Sequence, residues 1–509
     1  MTAADPDVIV VGAGPNGLVA ANVLADAGMK VLVLEANREP GGAVRSRELA
    51  RPGFHADLGA AFFPFATSSP ALRELDLEVS GLRWCRAPVD SAHPAPDGTC
   101  AAITGDLDQA LTAFGGLEED GRAWQELASW HRETRDGLLD LLLRELPPVA
   151  TALRFGPYNL FRLAEIGLAT GRGFSTRRFR SEAARRVLPG LALHTDIAPD
   201  DPLGNAVGFM LGALAFSSGF SVPKGGTSAI TAAMVHRLEQ AGGKVRCGTR
   251  VERIHTAKGR ATAVVVDDGT TLETPTVVAD VAAPTLYLQM LPEDAVPGRV
   301  LRAMRRFDWG FATFKVDWAL DGAVPWHHPD CRRAAVVHTG DHLDDLQRFA
   351  TEVRRGRLPE RPYLVLGQQS IPDPSRAPAG QHTLWGYTRV PFRIEGGWDH
   401  DRRQAYADEI ETRIESMAPG FRTRILARAI TAPPDLEATN ENLVGGNLGG
   451  GSAQIQHQLF LRPVFPYFRY RTPVDGLYLA SSYTHPGAGV HGMCGYNAAH
   501  AVLKDRGGG

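Results

Sequence analysis

Apolar positions gather in short runs that each meet a glycine loop, most clearly at the two ends of the chain. "DVIVV" (7–11) is a β-branched run of the kind a parallel strand buried on both faces requires. "GLVAANVLADAG" follows with alanine and leucine at helical density and Gly28 as its stop, and "KVLVLEA" is the next strand. Near the other end, "GLYLA" predicts a strand and "GYNAAHAVL" a helix. "FSVPKGGTSAITAAMVHRLEQAGGKVRCGTRVERI" predicts a loop at 223–227, an alanine-rich helix stopped at Gly242 and Gly243, and a strand running through Val251. A hairpin-like stretch turns at Asp267 to Gly269. Residues 106–214 read as mostly helical, whereas 286–424 carry the β-rich runs "GFATFKVDWAL", "RPYLVLGQQSI" and "HTLWGYTRV". No internal repeat or low-complexity linker interrupts the pattern.

The first loop places Gly12, Gly14 and Gly17 between a strand and a helix. In that context Gly12 permits the turn and Gly14 lets the backbone approach a diphosphate. Gly17 lets helix and strand pack closely, so the helix N-terminus faces the phosphate charge. Glu35 ends the next strand, placed to accept hydrogen bonds from a ribose. Gly41 and Gly42 then precede Arg45, and paired glycines with a fixed charge would bring backbone amides and a guanidinium onto an extended diphosphate. A second G-x-G-x-x-G, Gly487, Gly489 and Gly492, opens the last helix. The chain stops before another strand and acid could complete a mononucleotide unit, so this loop is not a second Rossmann site. The expected class is α/β: a Rossmann-type nucleotide-binding domain (1–105, 215–285, 425–509) with a discontinuous α+β substrate domain and helical cap (106–214, 286–424).

Composition narrows the partners. Lysine plus arginine number 54 against 57 acidic residues, so no charge excess argues for nucleic acid. Five cysteines are odd in number and scattered without a C-x-x-C pair, which reads as buried thiols in a reducing compartment rather than a disulfide frame or zinc site. Asp5 and Asp7 stand where a signal peptide would be basic, which fits a cytoplasmic protein. The uncharged stretch "PLGNAVGFMLGALAFSSGFSVP" is long enough to span a bilayer, but its glycines, serines and prolines favour a buried helix and loop. The leucine-rich, basic-punctuated "LLDLLLRELPPVATALRFGPYNLFRL" leaves a peripheral contact with the inner face of a membrane open.

These residues resemble the phytoene desaturase and amine oxidase type of FAD-dependent oxidoreductase, closest to the phytoene dehydrogenase-like branch that includes carotenoid isomerase-like proteins. The resemblance is carried by the Gly12/Gly14/Gly17 loop with Glu35, by Gly41 to Arg45, and by "VPKGGTSAI", "TRVERI", "TAPPDLEATNENLVGGNLGGG", "LRPVFPYFRYRTP" and "DGLYLASSYTHPGAGVHGMCGYNAA". It implies FAD as cofactor, with Pro15, Asn16, Ala36, Gly59, Ala60 and Ser482 added to the contact set. It also implies the backbone near Val251 at the adenine and the C-terminal loop, through Gly492 and the Met493 amide, at the flavin ring. Two departures stand out: Ser481 and Ser482 replace glycine and aspartate, which leaves a carboxylate contact to the ribityl chain open, and Gly449 to Gly451 replace bulkier or polar residues.

A flavin accepts hydride at N5, so the protein must position a substrate and manage one proton. His491 and His485 flank the second loop as candidate acid–base groups, with Tyr483, His55 and Arg462 behind them, and neither a nucleophile triad nor a metal cluster is visible. The expected activity is desaturation or isomerisation of a lipophilic or polyene-like substrate, with oxygen or a quinone as electron acceptor. An amine or amino-acid oxidase is the alternative, which a carboxylate-binding arginine in the cavity would favour. A non-catalytic lipid escort of the GDP-dissociation-inhibitor type is the third.

Overall fold

The computed structural model describes residues 5–65 and 67–507. The β-branched run becomes the strand Val8–Val11, buried throughout, and the alanine-rich stretch becomes the helix Pro15–Asp26, whose proline starts it where no amide hydrogen is needed. Val8–Val11 is the centre of a five-stranded parallel sheet. Val31–Glu35 and then Lys244–Cys247 lie on one side, with Val277–Ala279 and then Leu477–Leu479 on the other. This is the Rossmann-type order, with its switch point between Val8–Val11 and Val277–Ala279, where a ligand sits outside the carboxyl ends of the strands. The expected hairpin forms, Arg260–Val266 pairing with Thr271–Glu273, within a small three-stranded sheet that also contains Val251–Ala257.

A seven-stranded mixed sheet stands beside it, in the order Ile425–Thr431, Ala312–Leu320, His382–Val390, Leu364–Gly367, Ala334–Thr339, Val89–Pro94 and Cys100–Ile103. The domain limits drawn at 105 and 425 need correction here. Val89–Pro94, Cys100–Ile103 and Ile425–Thr431 hydrogen-bond into this second sheet. Strand partners far apart in the chain are set by backbone pairing, which apolar pattern alone does not reveal. Helices between 107 and 217 cover the sheet, among them Glu118–Leu143 and Asn205–Ser217. The latter holds most of the uncharged stretch and is largely buried. No described helix is long and apolar enough to cross a membrane.

Candidate functional site

The first glycine loop is shaped by close approaches. A Cβ on Gly17 would lie 2.2 Å from the Gly12 carbonyl oxygen, so only glycine fits there, and one on Gly14 would lie 2.6 Å from Asp280 Oδ2 and displace that carboxylate. Gly14 gives the helix that starts at Pro15 no side-chain cap; Pro15 has no amide hydrogen and the Gly17 amide is taken by Asp280, which leaves the Asn16 amide of the first turn for an anion. Glu35 is buried; its Oε2 accepts the Ala13 amide at 2.8 Å and its Oε1 accepts the Asn37 amide at 2.8 Å.

These features open into one cavity of about 900 Å³. Its nucleotide end is lined by Gly12, Gly14, Pro15, Asn16, Glu35 and Ala36, and by Gly42, Arg250, Val251 and Asp280. It continues past Gly59, Ala60, Ser482, Gly489 and His491 into a chamber of Phe62, Met210, Leu211, Phe220, Trp385 and Tyr387. The waist is tightly packed: a Cβ on Gly59 would meet the Ala43 carbonyl at 2.5 Å, and one on Gly450 the Ser482 hydroxyl at 2.7 Å.

Several expected residues stand elsewhere. Gly17 does not line the cavity and packs helix against strand as its spacing required, donating its amide to Asp280 Oδ2 at 2.9 Å. Gly41 and Arg45 do not line the cavity; Arg45 donates to the carbonyls of Gly42 (2.9 Å) and Thr439 (2.7 Å), tying the glycine turn to that distant segment instead of presenting its charge to the cavity. Gly492 has φ +69°, and a Cβ on it would lie 2.8 Å from Val19 Cγ2, so it faces the first helix and not the cavity. The Met493 amide is donated to His491 Nδ1 at 3.0 Å, which removes it as a donor to a flavin edge.

Among the acid–base candidates, His491 alone reaches the cavity wall, and burial pushes it down to about 4, so it is neutral at physiological pH. His485, likewise lowered to about 4 by burial, lies off the cavity, as do His55 and Tyr483, whose hydroxyl donates to the Asn442 carbonyl at 2.8 Å. Arg462 is buried among carbonyls, including those of Gly449, Gly450 and Ser482, and fixes the waist from behind. Ser481 donates to the Val281 carbonyl at 2.7 Å and joins the two strand ends. Two cysteines that look isolated in the sequence meet: Cys100 and Cys331 have their Sγ atoms 3.9 Å apart beside His328, away from the cavity.

Sequence reasoning did not single out Asp280, which closes the strand Val277–Ala279 and meets the glycine loop across the switch point. Burial pushes its carboxyl up to about 7, offset by the Gly17 amide and reinforced by Glu35. The run "TVVAD", a buried strand ending in an acid, was the available signal. His194 and Arg389, at the far end of the chamber, carried none.

A profile of flavin containing amine oxidoreductases matches residues 16–503. The chain belongs to this family. The cofactor of this flavin oxidoreductase is FAD, and the glycine loop at the helix start and the elongated cavity fit a dinucleotide. Pyridine nucleotide-disulfide oxidoreductase domain-containing protein 2 of Mus musculus is 28% identical over 98% of this chain and 93% of its own length. A neurosporene-forming phytoene desaturase of Cereibacter sphaeroides is 25% identical over 98% of this chain and 95% of its own, which agrees with the branch the motifs resemble. A crystal structure of an oxidoreductase from Methanosarcina mazei superposes with a TM-score of 0.64 at 17% identity, covering 98% of this chain and 99% of that one, and shares the fold. These oxidoreductase relatives give the escort reading no support.

Proposed function

We propose that this flavin oxidoreductase dehydrogenates a lipophilic substrate held in the chamber formed by the seven-stranded sheet and the helix Asn205–Ser217. The observation that carries the reading is the continuity of the cavity from the glycine loop to walls of Phe62, Met210, Leu211, Phe220 and Trp385. When bound, FAD supplies a two-electron acceptor at N5 of its ring. The Gly14 and Asn16 amides would hold its diphosphate, Glu35 and Ala36 its ribose, and Arg250 and Val251 would flank its adenine. Gly59, Ala60, Ser482 and the Gly489–His491 segment would border the ring. The apolar walls exclude water and orient the substrate. His491, neutral and with no partner on Nε2, offers a hydrogen-bonding group without a charge.

The helices Val149–Phe155 and Pro157–Gly167 expose Val149, Leu153, Tyr158 and Phe161 beside Arg154 and Arg162. The second helix packs on Asn205–Ser217, whose Ala206, Val207 and Met210 line the chamber, so a membrane contact here would deliver apolar molecules to it. Extraction of the purified protein with organic solvent and mass spectrometry tests the reading. An apolar compound that loses two hydrogens on aerobic incubation with the protein supports it. Oxidation of simple primary amines with peroxide release, and no such compound, would replace it with the amine oxidase alternative.

A further inference from the structure

Arg389 lies near the end of the strand His382–Val390, lines the chamber and is 6% exposed. Two other buried arginines show how the molecule ordinarily satisfies such a group. Arg376 is paired with Asp57 at 2.6 Å, and Arg462 spreads its donors over carbonyls; neither lines the cavity. Arg389 has less. Its Nη1 donates to Thr313 Oγ1 at 2.6 Å and its Nη2 to the His194 carbonyl, its guanidinium lies 5.1 Å from the centre of the Tyr387 ring, and its Nε, like Arg376 Nη1, has no partner. Among the described residues no carboxylate is within ion-pair distance of it. Asp196 is the acid whose charge reaches it, and that carboxylate is taken up by the Ser452 hydroxyl at 2.5 Å and the Ala453 amide at 2.7 Å.

A guanidinium does not shed its proton, so a buried one that lines a cavity with neither a counterion nor, as Arg462 has, carbonyls around all its donors leaves a site for an anion. The neighbouring imidazoles do not compete for that role. His194 Nε2 meets His338 Nε2 at 2.7 Å, His338 Nδ1 meets Ser91 Oγ at 3.0 Å, and Ser91 Oγ meets His93 Nε2 at 2.9 Å. Burial keeps all three imidazoles neutral, with His194 and His93 lowered to about 3. The carboxylates that line the cavity, Glu35, Glu252, Asp280 and Glu441, stand at its nucleotide end, where Arg250 is paired with Glu441 at 2.6 Å. A substrate ammonium in the chamber would therefore face a positive charge and find no carboxylate to hold it.

We infer that Arg389 binds an anionic head group, a carboxylate, on a substrate whose apolar body fills the chamber lined by Phe62, Met210, Phe220 and Trp385. The inference rests on the reading of that chamber as the substrate site. Such an arginine would by itself also suit an amino acid; the absence, among the described residues, of a chamber carboxylate for an ammonium narrows the substrate instead to an amphipathic acid without an amine, with Thr313 and the His194 carbonyl holding the guanidinium plane in place for charge-assisted hydrogen bonds.

Calorimetric titration of the FAD-loaded protein with decanoate, decanol and decylamine, probes of one chain length and three head groups, tests it. Decanoate is expected to bind roughly ten- to a hundred-fold more tightly than decanol, as a buried charge-assisted bond implies. Arg389→Met should abolish that difference by weakening decanoate alone, and Arg389→Lys should restore part of it. Equal affinity of decanoate and decanol for the parent protein, or a preference for decylamine, overturns the inference, and both comparisons stand even if the variants fail to fold. Failure of all three probes to bind the parent would instead overturn the chamber reading, and the inference with it.

Discussion

The carboxylate of Asp280 accepts the amide of Gly17 at 2.9 Å and lies where a Cβ on Gly14 would have to be, so an acid from one strand end closes the glycine loop of another. Burial pushes this carboxyl up to about 7. The folded protein then holds this proton more tightly than the unfolded chain does, so the contribution of Asp280 to stability is greatest below the ordinary carboxylate range and is lost as pH rises from about 4 to about 7. Asp280→Asn keeps an oxygen acceptor for Gly17 and removes the titration. The expected outcome is a Tm gain relative to the parent that is larger at pH 8 than at pH 5. A gain independent of pH in thermal melts would mean that Asp280 is ionised throughout.

Gly14→Val places a branched side chain against Asp280 Oδ2 at the mouth of the nucleotide end. The protein should fold and purify with little flavin, read as the ratio of flavin to protein absorbance. A full complement of FAD in the variant would move the diphosphate away from this loop.

Gly492 faces Val19 of the first helix, so its substitution is a packing change. Gly492→Ala forces a Cβ to 2.8 Å from Val19 Cγ2 at a backbone φ of +69° and should cost about 1–3 kcal/mol of stability. The reduction potential of the remaining bound FAD should match the parent. A shifted potential with unchanged Tm would put Gly492 beside the ring after all.

One parallel five-stranded sheet carries the one Rossmann-type loop among the described residues, so oxygen or a quinone is the expected oxidant of the reduced flavin. In stopped flow, photoreduced protein should reoxidise with oxygen or menadione. Rapid, saturable reduction of the oxidised protein by NADPH would reverse this expectation.

The strands Val8–Val11 and Val31–Glu35, the helix between them and the glycine positions were legible because their cues lie within a few residues of one another: a β-branched run, three glycines at fixed spacing, an acid at a strand end. The sequence therefore determined the fold class, a dinucleotide loop and the presence of a second glycine loop, with the flavin implied by the family its motifs resemble. What depended on distant partners was decided by the tertiary structure. Gly492 is drawn to Val19, Arg45 to Thr439, and the strands 89–94, 100–103 and 425–431 to a sheet built mostly from other segments. Asp280 meets Gly17, 263 positions away, and Arg389 meets the chamber through a strand whose alternating faces look alike in sequence. Local spacing fixes backbone conformation, but burial, charge pairing and the neutrality of an imidazole are properties of what surrounds a side chain, and those surroundings exist only once the chain has folded.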